Sequence, residues 1–319
     1  MAQNPESDAI EQKSNTSWIR LAGSIISALL FVWLMTRFGW QDLLSSLKEI
    51  DWITLVVAFG MIMISRFIVS FRWYFLCRSN KIKITVRNAV ELTFAGFYAS
   101  NFLPSTIGGD VVRYLGGIQL DDQKVKCAGS LIMDRLVGMF GMAVVLPLGL
   151  VNVIPMLMEG KFNQTRINST NLLAFVLPAK LTALCKNMIK AFKQLLLQIR
   201  DWVSHPISLV MPLTMTFIHM LLLFGVISLI FNAMGEHVPF LMICGLYSVG
   251  YFITLIPISI NGYGLQEISM TLLFVTVAQV STSHAVIMAL LLRSFTMAAS
   301  LPGSFFLPKV IPDHAFTRR

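Results

Sequence analysis

Asn101-Phe102-Leu103-Pro104-Ser105-Thr106-Ile107-Gly108-Gly109-Asp110-Val111-Val112-Arg113 decides how this chain is read. A proline, two adjacent glycines, an acid and a base fall within one short stretch of a very apolar sequence. A plain membrane span has no use for that mixture. Proline removes a backbone donor and clashes with the preceding turn. Glycine permits left-handed backbone and close approach. Together they break a helix, and broken backbone at membrane depth is tolerated only where it is buried in protein or lines a wet cavity.

The surroundings place the stretch in a membrane. Of 319 residues 55% are hydrophobic and 13% charged, with mean hydropathy +0.71. Soluble proteins carry about 25% charged residues. Several apolar runs reach the roughly 20 residues that cross a hydrocarbon core as helix. The alternating strands of about 10 residues that build a β-barrel are not found. The expected fold is an all-α integral membrane protein, a polytopic helical bundle of about six to eight spans with two broken or re-entrant segments.

The net charge of +9 is explained by Lys and Arg gathering in cytoplasmic loops. Nucleic acid is not an expected partner, because no basic-aromatic module stands outside the spans. Cys77, Cys127, Cys185 and Cys244 form no CxxC, so neither a metal nor a disulfide framework is expected.

In order, the chain reads as a polar cytoplasmic N-terminus (1–17), one transmembrane domain (18–307) and a cytoplasmic tail (308–319). Spans are expected near 18–38, 52–76, 128–158, 206–234, 240–256 and 284–301. Shorter apolar pieces lie at 88–103 and 268–280, and 172–185 is a doubtful span. Arg78, Lys81, Lys83 and Arg87 mark a cytoplasmic loop, which puts the N-terminus inside; Lys309, Arg318 and Arg319 do the same for the tail. Residues 186–203 carry apolar positions at helical spacing with lysines off that face. They read as an amphipathic helix, either on anionic lipid or packed on the bundle.

The opening stretch has a partner. Pro257-Ile258-Ser259-Ile260-Asn261-Gly262-Tyr263-Gly264-Leu265-Gln266-Glu267 repeats its order of proline, glycines and acid. Each lies beside a short apolar segment. Paired Gly/Pro-interrupted segments in two halves of a chain point to a transporter's binding site. Asp110, Arg113, Asp134, Arg135, Glu267, Arg66 and Arg293 all fall in or beside apolar runs. Each would cost about 2.5–3.5 kcal/mol at a helix centre, so pairs such as Asp110 with Arg135, or Glu267 with Arg113, are expected. Arg72 and Arg113 are the best placed to snorkel instead. The charges make either salt bridges that hold helices together or a cavity for an anionic headgroup, which the planar guanidinium suits.

Arg72-Trp73, Asn101-x-x-Pro104-x-x-x-Gly108-Gly109-Asp110-x-x-Arg113, Asp134-Arg135-Leu136 and Pro257-x-x-x-x-Gly262-x-Gly264-x-x-Glu267 stand in that order. The set resembles the lysylphosphatidylglycerol synthase transmembrane family, the flippase-like membrane domain, from about Trp18 to Leu307. The resemblance implies a multi-pass inner-membrane protein that moves a lipid or lipid-linked precursor between leaflets. The aminoacyl-transfer domain of the bifunctional synthases is not found in these residues, so lipid synthesis is not expected. Two departures bear on the substrate: the first motif ends Gly109-Asp110 where the family often has Gly-Glu, and Asn261-Gly262-Tyr263-Gly264 is bulkier than the common glycine-rich form.

No glycosyltransferase DxD, HExxH, Walker A or Ser-His-Asp pattern is present; catalytic residues, metal and cofactors are read as none. Asp121-Asp122 reads as a surface pair and His219 as a hydrogen-bonded core histidine. The expected substrate-binding set is Asn101, Pro104, Gly108, Gly109, Asp110, Arg113, Asp134, Arg135, Pro257, Asn261, Gly262, Gly264 and Glu267. In it Arg113 and Arg135 hold a phosphate, and Asp110 and Glu267 orient the arginines or take protons. The expected partner is a membrane lipid or lipid-linked sugar, with cell-envelope synthesis enzymes and a second copy of the chain as further candidates. The alternatives are a polyprenyl-phosphate glycosyltransferase or other lipid-modifying enzyme, and a non-catalytic membrane subunit of a cell-envelope synthesis complex.

Overall fold

The computed structural model describes residues 48–103, 108–158, 207–255 and 264–310. The regular structure among them is helical: α1 (Trp52–Ser79), α2 (Val86–Ser100), α3 (Gly108–Leu120), α4 (Lys124–Met158), α5 (Ile207–Ala233), α6 (Phe240–Thr254), α7 (Leu265–Thr276), α8 (Thr282–Ala298) and α9 (Gly303–Val310). The expectations for 18–38, 172–203 and both termini lie outside the described residues, as do Pro104, Pro257, Asn261 and Gly262.

Helices α1, α4 and α5 are each long and apolar enough to cross a membrane. The 28 residues of α1 extend about 42 Å at 1.5 Å per residue, beyond a core of about 30 Å. Only 28% of its most apolar window is buried inside the protein. Val56, Val57, Ile64 and Phe67 remain on the outside, where hydrocarbon solvates them. The chain is an all-α integral membrane protein.

One end of α1 leads into Arg78, Lys81, Lys83 and Arg87 and is called the basic end. The other begins at Glu49 and Asp51 and is called the acidic end. At the basic end the Asp121 carboxylate accepts from the Lys83 amide at 2.9 Å, tying the start of α2 to the end of α3. With 15 and 13 residues, these helices reach only about 20 Å, too short to cross. They run antiparallel, Leu92 against Gly116 and Gly96 against Gly109. Together they form a hairpin that enters from the basic end and returns to it.

At the acidic end Gly235, at φ 75°, ends α5 in the left-handed conformation that glycine adopts without a Cβ clash. Glu236 then donates its amide to Phe231 O at 2.9 Å. Its carboxylate accepts from the Ser281 amide at 3.0 Å and meets His284 Nδ1 at 2.8 Å. Glu49 faces the other ring nitrogen at 3.2 Å. This clamp holds the start of α6 and the end of α7 at the acidic end. Their facing residues, Gly250 and Met270, make them a second hairpin, entering from the opposite side to the first.

The helices start at 207 against 52, 240 against 86, 265 against 108 and 282 against 124, a near-constant spacing of roughly 155 residues. Long span, entering half-helix, returning half-helix and span thus occur twice with opposite direction, as inverted repeats. The packing repeats too. Gly96 lies against the Arg113 side chain, and its counterpart Gly250 lies against Met270, the counterpart of Arg113.

Few side chains separate the backbones that cross. Gly149 of α4 meets Gly245 of α6 backbone to backbone, the close approach that small residues provide where lipid removes the hydrophobic drive to associate. Ser248 donates to Met142 O at 2.6 Å near the same crossing. α9 lies on α2, with Gly303 against Phe94 O. Asn101 donates to Ser300 Oγ at 2.7 Å, and Gln119 to Val310 O at 2.9 Å, so α8 and α9 together run from the acidic to the basic end.

Burial alone would raise the Glu236 carboxyl, but the Ser281 amide and the His284 ring outweigh it and hold the group below its ordinary 4.5. A depressed carboxyl contributes stability above its unfolded value that is lost as pH falls through the folded one. Glu236→Gln is therefore expected to cost roughly 0.5–1 kcal/mol at neutral pH, screened by solvent. Melting curves of the two proteins should converge as pH drops below the ordinary carboxyl value.

Candidate functional site

Two charge clusters lie inside the bundle, one in each repeat. In the first, Asp134 of α4 is 3% exposed and accepts from Arg72 Nε at 2.7 Å through one oxygen. Its other oxygen accepts from both terminal nitrogens of Arg113 at 3.1 Å. Arg113 also donates to Asp110 at 3.1 Å, and Arg135 Nε donates to the second Asp110 oxygen. Arg72 reaches Thr216 Oγ1 of α5 at 3.3 Å. The Arg113 guanidinium lies 4.5 Å over the Trp73 ring, and Trp73 is fixed by donating to Ser130 Oγ at 3.2 Å. Three arginines and two carboxylates thus close on one another.

This explains the first motif residue by residue. Gly108 and Gly109 open α3, and Gly109 sits against the Gly96 carbonyl and Ser100, so their role is close approach. Asp110 is the third helical residue, where the positive end of the helix dipole favours an acid. Arg72 and Arg113 do not snorkel. They are 8% and 5% exposed, because buried carboxylates meet them within the bundle.

In the second repeat Gly264 holds φ 77° as the N-cap of α7, a conformation that a side chain would strain. Glu267, again the third helical residue, is 5% exposed. One oxygen faces Arg293 Nε of α8 at 3.5 Å, and the other, Oε2, has no partner among the described residues. The expected alternative of Glu267 with Arg113 is not formed. Arg293 also donates to Gln266 Oε1 at 3.3 Å.

Arg293 lines a cavity of about 250 Å³ with Arg66, Gln266, Tyr247, Tyr251 and His219. Arg66 sits midway along α1, and its guanidinium lies 4.4 Å over the Phe97 ring. Its one polar contact among the described residues is a 3.5 Å bond to Thr296 O. His219 meets Ser65 Oγ at 2.6 Å, the core histidine bond that the sequence led us to expect. His219 lies in electrostatic reach of Arg66 and Arg72 alike, and Tyr251 in reach of Arg72, Asp134 and Arg135.

The expected site set is therefore divided. Asp110, Arg113, Asp134 and Arg135 are brought together, with Arg72 added. Glu267 belongs to the other cluster, and Asn101 to the α8–α9 turn. The cavity residues Arg66, Arg293, Gln266, Tyr247 and Tyr251 were not in the set. Two mid-span arginines were the available signal, because a bilayer admits such charges only for a purpose. The described residues contain no group of three or more His, Cys, Asp or Glu able to hold a metal, and Asp121 is occupied by the loop contact to Lys83.

No curated protein and no solved structure matches the chain. Residues 20–303, which include both hairpins and both charge clusters, match the family described as Lysylphosphatidylglycerol synthase TM region, and the chain belongs to that family.

Proposed function

We propose that the protein is a flippase that moves an anionic phospholipid or polyprenyl-phosphate-linked precursor between leaflets of an inner membrane. The observation that carries this is the cavity inside the membrane domain lined by Arg66 and Arg293. Arg293 already faces the Glu267 carboxylate. Arg66 bonds a backbone carbonyl and no carboxylate among the described residues, and it is costly at mid-span beside a cavity unless an anion uses it. A structural role would be served by closed pairs like those of Asp134, with no cavity beside them. A headgroup phosphate matches the fork geometry of arginine, while acyl or prenyl tails stay in lipid against the apolar outer faces. In this reading the basic end is cytoplasmic, as the positive-inside rule places it.

The test is leaflet exchange in liposomes containing the purified full chain, using fluorescent phosphatidylglycerol, phosphatidylcholine and an undecaprenyl-phosphate-linked sugar. Faster exchange of an anionic probe than in empty liposomes is the expected result. Exchange at the empty-liposome rate for every probe overturns the reading.

A further inference from the structure

The inverted repeats equate particular residues. With the return helices starting at Gly108 and Leu265 and the following spans at Lys124 and Thr282, Asp110 corresponds to Glu267 and Arg135 to Arg293. The pairs are made in the same way. Each acid is the third residue of its return helix, and each arginine belongs to the next span. Their states differ. Asp110 has both oxygens engaged, by Arg113 and Arg135. Glu267 stands 3.5 Å from Arg293 with no hydrogen bond to its second oxygen among the described residues, and Arg293 and Gln266 line the cavity. The residues that reinforce the first pair have apolar counterparts in the second: Met270 for Arg113 and Leu292 for Asp134, both buried.

We infer that Arg135 and Arg293 are two equivalent phosphate stations, and that Asp110 and Glu267 are internal stand-ins which a phosphate monoester or diester displaces. The Arg293 station, completed by Arg66 across the cavity, is the one ready for ligand in this structure. The Arg135 station is shut by its own carboxylate. Alternating access moves one repeat against the other, and in the second state of this inference Glu267 is closed on Arg293 and Asp110 is withdrawn from Arg135. A phosphate entering one station competes with one carboxylate for one arginine. Its charge is met by protein at both depths, and neither arginine is left bare in the interval.

This inference rests on the transport reading for its use, and binding tests it separately. The full-length protein in phosphatidylcholine nanodiscs is titrated with inorganic phosphate, dihexanoylphosphatidylglycerol and dihexanoylphosphatidylcholine. Arg66→Ala and Arg293→Ala should each weaken the anionic probe by about tenfold or more, the scale of a lost charge-assisted bond. Glu267→Gln removes the competitor and should tighten that site several-fold, at some cost in melting temperature because Arg293 loses its buried carboxylate. Asp110→Asn should add a second site, raising the stoichiometry from one to two. Equal binding of inorganic phosphate and the lipid assigns the stations to any phosphate; preference for the lipid assigns them to a headgroup. Unchanged affinity in Glu267→Gln and unchanged stoichiometry in Asp110→Asn, with both variants folded, would overturn the two-station inference. Leaflet exchange at the wild-type rate in Arg66→Ala/Arg293→Ala would refute the stations and leave the flippase reading standing. The expected binding pattern without exchange of any lipid would do the reverse.

Discussion

Asp134→Asn is expected to lose about 3–5 kcal/mol of stability, the scale for removing one partner from a buried ion pair. The substitution keeps size and shape, so the loss is electrostatic. Asp134 neutralises two guanidiniums, Arg72 and Arg113, which are both buried. An amide leaves Asp110 as the only carboxylate of the cluster, already shared between Arg113 and Arg135. Its NH2 group would also point a donor at donors. Equilibrium unfolding in mixed detergent and SDS micelles measures the loss. The second repeat supplies the control, because Met270 and Leu292 occupy the places of Arg113 and Asp134. Arg113→Met with Asp134→Leu removes a charge of each sign together. It should cost at least about 1 kcal/mol less than the sum of the single changes, as directly coupled residues do. Additive losses would mean that the cluster is not an energetic unit.

The legible part of this fold was what apolarity and backbone chemistry write locally. Proline, glycine and an acid at 104–110 and again at 257–267 marked both hairpins, because no other common residues break a helix at depth. The family followed from the same residues. Pairing was less legible. Asp110 with Arg135 was one of several combinations that charge alone permits, and Glu267 with Arg113 looked equally good. What separates them is direction: the hairpins enter from opposite ends, and Glu267 therefore meets the next span of its own repeat. Arg72 and Arg113 read from the sequence as the arginines best placed to snorkel. Only the tertiary position of Asp134, nearly three turns into α4 and buried, shows why they turn inward. The cavity was hidden because Arg66, Arg293, Gln266 and Tyr251 come from four helices and share no motif. The spacing of roughly 155 residues between equivalent helix starts was present in the sequence, yet side chains have diverged so far that few equivalent pairs keep its trace, Asp110/Glu267, Arg135/Arg293 and Gly96/Gly250 among them. Those are the positions where the repeats need the same chemistry or the same closeness.

Gly109→Ala is expected to cost about 1–3 kcal/mol, the range for overpacking a filled interior, and to alter the site as well as the fold. A Cβ at residue 109 would fall on the Gly96 carbonyl and Ser100 Oγ. The first is backbone of the facing helix and cannot rotate away. The second is itself held by a 2.8 Å bond to that carbonyl. The reverse change meets the same wall, since a Cβ on Gly96 would lie 2.7 Å from Gly109 O and 2.9 Å from Arg113 Cγ. Relief requires α2 and α3 to move apart at the tip of the hairpin, and residue 109 is followed at once by Asp110. Displacing that helix start pulls the carboxylate off Arg135 and Arg113, so unfolding should become easier and the closed station should become available to phosphate. Gly60→Ala separates this from a general effect of adding a methyl group. Nothing lies within 4 Å of its Cβ position in the middle of α1, and alanine there should be neutral or stabilise by up to about 1 kcal/mol through helix propensity. SDS unfolding with nanodisc titration of the anionic probe checks both. A Gly109→Ala protein as stable as wild type, with one binding site, would mean that the hairpin is not packed by this contact and that Asp110 does not depend on it for its position.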